Sequence, residues 1–195
     1  ANAKMSEDTI FRIYSMTKAI TSAAILSLHD EGKLHLDDPI AKHLPKLKEL
    51  KVWSDKGDPV TPTRAPTVRD LLRHTAGFAY GWGPSEVDTL YQKNDPLNRG
   101  HTHEKMTEAL ASIPHLYQPG SQWTYSVSTD ILARIVEVAA DQPFDQFLKA
   151  RFFQPLGMAD TGFHVPANKL NRFSAVYSNI DGSLVAVEPI KGSQF

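Results

Sequence analysis

The stretch Ser15-Met16-Thr17-Lys18 places a serine hydroxyl and a lysine amine three residues apart, directly before a long apolar run. Residues three apart lie on one face of a helix, so the Ser15 hydroxyl and the Lys18 amine can meet. The run over residues 19–28 carries apolar groups on nearly every side. This pattern predicts a buried helix with Lys18 in its first turn.

Such a serine and lysine suit acyl transfer. Burial and the positive end of the helix dipole both disfavour an ammonium, so we expect the pKa of Lys18 to fall and a neutral amine to accept the serine proton. Backbone N–H groups at the helix start can hold the oxyanion that forms when Ser15 attacks a carbonyl. The alternative is that Ser15 caps the helix and Lys18 is a surface cation, because the pattern arises by chance about once in a chain of this composition.

Several further segments carry recognisable motifs in a fixed order. They are residues 7–18, 30–34 and 36–40 around the serine, residues 67–77 as a second landmark, residues 125–132 as a tyrosine motif and residues 154–158 at the end of the helical part. In this order they resemble the class C β-lactamase-like serine hydrolases. The likeness covers the chain from Ser6 to about Tyr177 and is closest to the branch called family VIII carboxylesterases.

The resemblance implies a role for each of three residues. Ser15 matches the nucleophile of the family, Lys18 its partner base and Tyr125 the phenol that relays the proton. A phenol beside an ammonium is drawn toward phenolate, so Tyr125 and Lys18 can share one proton and either can deprotonate Ser15. The structural alternative for Tyr125 is a buried tyrosine whose hydroxyl is satisfied locally.

The residues after the tyrosine bear on the substrate. In the esterase branch the tyrosine is commonly followed by serine, as Tyr125 is followed by Ser126 here. β-Lactamases and penicillin-binding proteins instead favour asparagine two residues after the tyrosine, where this chain has Val127. The departure counts against efficient turnover of β-lactams.

Aromatic residues are expected beside the site. Residues 78–83 are punctuated by glycine, which predicts a loop. The resemblance places this region at the border of the site, so Tyr80 and Trp82 are candidate substrate-binding residues, together with Trp123 next to the tyrosine motif. The alternative is that these aromatic side chains only cover a local core.

Other chemistry finds little support. His101-Thr102-His103-Glu104 lacks a third ligand at a recognisable spacing, so a solvated loop is favoured over a metal site, and we expect neither metal nor cofactor. His74 precedes a turn glycine and is interpreted as a helix C-terminal residue that bonds carbonyls rather than as a base. A glycine-rich phosphate loop after a strand is absent from the sequence.

Composition sets outer bounds. The 195 residues are 41% hydrophobic and 22% charged, with a net charge of −1 and no cysteine. This balance is ordinary for a globular protein and argues against a nucleic-acid partner. No run approaches the roughly 20 apolar residues that span a bilayer. The compartment, cytoplasmic or periplasmic, stays open.

Periodicity and capping residues predict a mainly helical chain that ends in a hairpin. Asp181-Gly182 lies between two apolar runs and is typical of a hairpin turn. The predicted helices are residues 39–44, 67–74, 105–113, 129–140 and 144–153, the predicted long loops are residues 52–66 and 77–101, and the predicted strands are residues 173–180 and 184–187.

The resemblance implies an α/β (α+β) protein with the β-lactamase/transpeptidase-like fold, an antiparallel sheet flanked by helices plus a helical domain. We expect residues 1–36 to be the nucleophile-helix segment of the α/β domain, residues 37–165 the helical domain with Tyr125, and residues 166–195 the return to the α/β domain. The chain would then hold mainly the helical part, lack much of the sheet and need the remainder of the same enzyme to complete its site. Lys191-Gly192-Ser193 has the wrong order for the third motif of the family.

The sequence therefore predicts a serine hydrolase that cleaves small carboxylic esters through an acyl-enzyme on Ser15. A β-lactamase or D-alanyl-D-alanine carboxypeptidase uses the same nucleophile and base on an amide and is the first alternative. The second is a noncatalytic binding or sensor protein that retains the fold of its enzyme relatives.

Overall fold

The computed structural model describes residues 5–190, which divide into two compact units. Residues 18–147 form one unit, and residues 5–17 with 148–190 form the other. The helices are α1 Thr17–Asp30, α2 Ile40–His43, α3 Val68–Leu72, α4 Glu86–Asn94, α5 His103–Leu110, α6 Ser128–Ala140 and α7 Phe144–Leu148, and the strands are β1 Val176–Ile180 and β2 Ser183–Glu188. Shorter 3-10 helices cover Tyr14–Met16, Pro45–Leu47 and Ala167–Arg172, and a π-helical turn, Lys149–Phe153, continues α7.

Helix α6 is the centre of the unit formed by residues 18–147. It packs against α2, α3 and α5, and α5 also contacts the 3-10 helix Pro45–Leu47. The apolar residues whose spacing predicted this helix, among them Ile131 and Ile135, form the face that it buries. The largest fully buried side chains of this unit are Ile25, Leu28, Leu34, Ile40, Leu47, Leu71, Phe78, Leu110, Ile131, Leu132 and Ile135.

Helix α1 is buried along one face only, so the prediction of a buried helix holds for that face and is wrong for the opposite one. Thr21, Ala24, Ile25 and Leu28 are buried and follow the three- and four-residue spacing of a helix stripe. Leu26 lies on the opposite side and is 44% exposed. Ala19, Ile20, Ala23 and Leu26 lie outside the stripe and made the whole run look apolar, although only the stripe is fully buried.

Helix α4 lies inside residues 77–101, which were predicted as one long loop, and that part of the prediction is wrong. The helix begins with a capping box in which Ser85 accepts the Asp88 N–H and Asp88 accepts the Ser85 N–H. Val87 and Tyr91, four residues apart, are its buried face. The glycine and proline residues on either side hid a short amphipathic segment of nine residues.

The other unit contains the hairpin that the sequence predicted. Strands β1 and β2 pair antiparallel, with Ile180 opposite Ser183. Asp181 and Gly182 both have positive φ, at 49° and 82°, as a two-residue hairpin turn of this type requires. In the same unit, Arg12 lies over the Phe173 ring at 4.1 Å and donates to the Ser174 carbonyl.

Over the part that the structure describes, every helix is too short or too polar to cross a membrane. The segment Lys191-Gly192-Ser193 lies outside the described residues.

Candidate active site

Ser15 lies on the short 3-10 helix Tyr14–Met16, immediately before α1 begins at Thr17. The side chain is exposed. Tyr14, the preceding residue, has φ +42°, a value that residues other than glycine seldom adopt. Backbone strain of this kind is concentrated at functional sites, where the surrounding structure holds it in place.

Three of the predicted site residues meet within the unit formed by residues 18–147. The Lys18 ammonium donates to the Tyr80 hydroxyl at 3.1 Å and also hydrogen bonds to Tyr125. Its Nζ lies 4.8 Å from the centre of the Tyr125 ring and 5.7 Å from that of Tyr80. Tyr80 and Tyr125, which follow Lys18 by 62 and 107 positions in the sequence, thus contact one amine.

The expected fall in the pKa of Lys18 is wrong. Burial does lower the pKa, but the hydrogen bonds to Tyr125 and Tyr80 act in the opposite direction and the net shift is upward. The ammonium is therefore the resting form. For Tyr80, burial raises the pKa of the phenol, and the hydrogen bond from Lys18 offsets part of that effect.

The aromatic residues predicted to border the site cluster around these two phenols. Trp82 stacks on Tyr80, with ring centres 4.3 Å apart and planes within 8° of parallel. The Trp123 ring lies 6.5 Å from that of Tyr125. Both indoles are largely exposed, Trp82 by 76% and Trp123 by 65%.

The segment that carries Tyr125 is fixed at its start by an ion pair between the exposed Arg64 and the buried Asp70. Arg64 makes two hydrogen bonds to Asp70, at 2.6 and 2.9 Å, and its guanidinium packs against Gly120. The Gly120 N–H donates to the Thr75 carbonyl at 2.7 Å. Gly120 has φ +85° and leaves no room for a side chain beside Arg64. The turn before Tyr125 is thereby anchored to the end of α3.

Near Lys18, Asp130 received no role from the sequence, and His74 received only that of a helix C-terminal residue that bonds carbonyls. Asp130, in the first turn of α6, has its pKa raised by burial, while the positive charge of Lys18 opposes that rise. Its position five residues after Tyr125, on the same motif, was the available signal. His74 does lie at the end of α3, as predicted, but its Nδ1 accepts the Ser126 N–H at 3.2 Å.

The histidines considered as metal ligands have other partners. His103 begins α5, two residues before the predicted helix start, and its Nδ1 lies 2.9 Å from Glu137 Oε1. Thr102 caps the same helix by accepting the Lys105 N–H. Among residues 5–190, groups of three or more side chains able to hold a metal ion are absent.

Comparison with known proteins now adds to this geometry. A family model described as Beta-lactamase matches residues 1–193. An uncharacterized protein of Mycobacterium tuberculosis is 42% identical over 182 residues, 91% of this chain and 45% of the relative. Esterase EstB of Burkholderia gladioli is 36% identical over 167 residues, 84% of this chain and 41% of the esterase. The chain thus spans less than half of the length of these relatives.

A solved structure extends the comparison to the fold. It is that of EstCE1, described as a hydrolase with promiscuous acyltransferase activity, which superposes with a TM-score of 0.83 at 26% identity over 94% of this chain and 47% of that one. This similarity confirms the predicted class, α/β (α+β) with the β-lactamase/transpeptidase-like fold. Together with the family match, it shows that these 195 residues belong to the beta-lactamase family, within the β-lactamase-like serine hydrolases.

Proposed function

We propose that the protein containing this chain hydrolyses small carboxylic esters through an acyl-enzyme on Ser15. The observation that carries the proposal is that the Lys18 amine hydrogen bonds to the phenols of both Tyr80 and Tyr125. Lys18 also follows Ser15 by three residues, and Ser15 itself follows Tyr14, whose backbone is strained. The similarity to esterase EstB and to the hydrolase EstCE1 supports the same reaction class.

The proposed chemistry has two steps. The Ser15 hydroxyl attacks the ester carbonyl and gives up its proton, and the bond to the alcohol breaks as that proton passes to the leaving oxygen. Water then attacks the acyl group on Ser15 and its proton returns to the serine oxygen, which releases the acid.

The raised pKa of Lys18 supports an assignment of the base that the sequence left open. With Lys18 as an ammonium, the amine has no lone pair to accept the serine proton. The same ammonium stabilises negative charge on the Tyr125 oxygen to which it is hydrogen bonded. We therefore assign proton acceptance from Ser15 to Tyr125, and charge stabilisation to Lys18.

Hydrolysis of β-lactams is the second candidate, because the matching family model carries that description. The residue at position 127 favours ester hydrolysis over β-lactam hydrolysis. The side chain of Val127 is apolar and completely buried, and its N–H donates to the Ala79 carbonyl. This residue therefore offers no hydrogen-bonding group to a β-lactam amide. The resemblance to the β-lactamase-like hydrolases implies an asparagine at this place in enzymes that cleave β-lactams.

The exposed aromatic rings support a substrate with apolar or planar groups. Tyr80, Trp82 and Trp123 form the aromatic surface beside Lys18, and such rings bury large areas against apolar ligands. A cationic substrate is disfavoured because the Lys18 ammonium already occupies this surface. Small neutral esters with an apolar or aryl alcohol are the proposed substrates.

Labelling of the full-length protein with a fluorophosphonate probe tests the nucleophile. We expect wild type and Ser22→Ala, a matched serine on α1, to be labelled and Ser15→Ala to remain unlabelled. Unlabelled wild-type protein would favour the noncatalytic binding or sensor alternative. A comparison of turnover of a short-chain aryl ester and a cephalosporin separates the two reactions, and faster cephalosporin hydrolysis would refute the ester assignment.

A further inference from the structure

Helix α3 ends in a backbone arrangement that normally calls for glycine. The His74 N–H donates to the Leu71 carbonyl at 3.1 Å and the Thr75 N–H to the Asp70 carbonyl at 2.8 Å. These two bonds define a Schellman motif, in which the residue at the position of His74 takes a left-handed conformation. His74 has φ +55° there. A histidine at this place is strained, and strain of this kind points to a function for the side chain.

His74 contacts the Tyr125 segment at three successive points. Its carbonyl accepts the Thr124 N–H at 3.0 Å. Its Nδ1 accepts the Ser126 N–H at 3.2 Å. Between these two bonds, the imidazole lies against the Tyr125 ring, with centres 5.1 Å apart and planes inclined by 30°. One residue therefore holds the backbone on both sides of Tyr125 and one face of its ring.

The contact continues into helix α6. Ser126 Oγ lies 3.3 Å from His74 Nδ1 and 2.8 Å from Ser128 Oγ, and both serines are buried. Ser128 is the first residue of α6, the central helix of its unit. A chain of polar contacts thus joins the end of α3, the Tyr125 segment and the start of α6.

The bond from Ser126 also defines the protonation of the ring. A backbone N–H can only donate, so His74 Nδ1 must carry a lone pair, and the neutral ring keeps its proton on Nε2. Burial lowers the pKa of His74, and the positive charge of Lys18 lowers it further, which agrees with a neutral imidazole. His74 is thereby suited to accept a hydrogen bond rather than to carry charge.

We propose that His74 is a positioning residue that holds the Tyr125 phenol against the Lys18 ammonium through the Ser126 N–H and the ring contact. The inference rests on the proposed role of Tyr125. It explains why a histidine is present where glycine would end α3 without strain. An error of about 1 Å in the position of a reacting group can reduce turnover about 100-fold.

Two substitutions of His74 are compatible with its left-handed backbone but differ in whether the side chain can accept the Ser126 N–H. His74→Gly relieves the left-handed strain but removes the acceptor and the ring. His74→Asn tolerates the same conformation and offers its side-chain oxygen close to the position of Nδ1. In the full-length protein, we expect His74→Gly to lose about 100-fold in kcat for an aryl ester with KM nearly unchanged, and His74→Asn to recover most of that loss.

Thermal unfolding and Tyr125→Phe complete the test. His74→Gly loses the acceptor of the buried Ser126 N–H but gains from relief of the backbone strain, so it should still unfold in one transition above the assay temperature, which assigns its loss of kcat to positioning. Wild-type kcat in His74→Gly, or equal losses in the glycine and asparagine variants, would overturn the role of His74 if Tyr125→Phe is inactive. An active Tyr125→Phe protein would instead refute the proposed function itself. A glycine variant that fails to fold would also overturn the inference, since it would give the imidazole a structural role.

Discussion

At Lys18, burial and hydrogen bonding act on one amine in opposite directions. Burial lowers the pKa, as the sequence led us to expect, but Tyr125 and Tyr80 raise it by more. The sequence placed the lysine in the first turn of α1 correctly. The two phenols come from distant segments, so only their convergence reveals that the ammonium is the resting form.

Replacement of Lys18 by alanine tests its part in the reaction. We expect Lys18→Ala to lose a factor of about 100 to 10,000 in ester turnover, the range for removal of a proton-transfer or charge-stabilising group, with an unchanged fold. Lys33→Ala, which removes an exposed lysine paired with Glu31, is the matched control. Turnover of an aryl ester and far-ultraviolet circular dichroism are the measurements. An active Lys18→Ala enzyme would contradict the assigned role.

Replacement of Tyr80 by phenylalanine tests the raised pKa of Lys18. The hydrogen bond that Lys18 donates to the Tyr80 hydroxyl raises that pKa, so its loss in Tyr80→Phe should lower the pKa of the ammonium. If the reaction needs the ammonium, the alkaline limb of the kcat/KM profile moves to lower pH, and turnover falls about tenfold. Tyr177→Phe, on the exposed hairpin, should leave the profile unchanged. An alkaline limb that does not move would show that Lys18 does not titrate in the reaction.

At the scale of elements, the loop that carries Tyr80 and Trp82 is held against helix α4. Tyr91, on the buried face of α4, accepts the Ala79 N–H through its hydroxyl at 3.1 Å. Gly81 lies so close to the same tyrosine that a Cβ there would be 2.6 Å from Tyr91 Cβ. Helix α4, which the sequence did not predict, therefore sets the position of Tyr80 and Trp82, which the sequence did predict at the site.

A pair of glycine substitutions separates close packing from backbone strain. Gly81→Ala meets both a positive φ of 81° and the stem of Tyr91, whereas Gly32→Ala meets a similar φ of 71° in open space. We expect Gly32→Ala to lower the free energy of unfolding by about 1 kcal/mol and Gly81→Ala by about 3 kcal/mol. Urea denaturation measures both. Equal losses would mean that the loop moves away from α4 at little cost.

At the scale of the whole molecule, a buried histidine ties three parts of the unit formed by residues 18–147. The backbone of His115 accepts the Trp53 N–H and donates to the Lys51 carbonyl, each at 2.8 Å. Its ring packs against Phe78, with centres 4.3 Å apart. The side chain is 1% exposed, and burial lowers its pKa to about 4 from the ordinary 6.5.

The stability of this unit should therefore fall in acid. As the pH drops through 6.5, the unfolded chain binds a proton at His115, while the folded chain does so only near pH 4. The contribution of His115 to the free energy of unfolding is largest above pH 6.5, decreases as the pH falls below 6.5 and stops changing below pH 4. The total loss is roughly 3 kcal/mol. Urea denaturation from pH 7 to 4 should show this slope in wild type and in the control His164→Asn, a surface histidine, but a shallower one in His115→Leu. Equal slopes in all three proteins would contradict the burial of a neutral ring.

The sequence alone determined the local features of this protein. Periodicity placed α6, and the turn residues Asp181-Gly182 placed the hairpin, nearly to the residue, because short-range backbone geometry is decided by neighbouring side chains. The ordered motifs around Ser15, Lys18 and Tyr125 determined the family, since their resemblance does not depend on how the chain folds.

Tertiary structure alone decided how those residues are charged and held. The pKa of Lys18, the contact of His74 with Tyr125 and the burial of His115 all depend on side chains brought together from distant parts of the chain. Electrostatic and packing effects act over a few ångströms in space, whereas a linear pattern records only distance along the chain. A rule based on helix position and burial could therefore assign Lys18 its place but not the direction of its pKa shift.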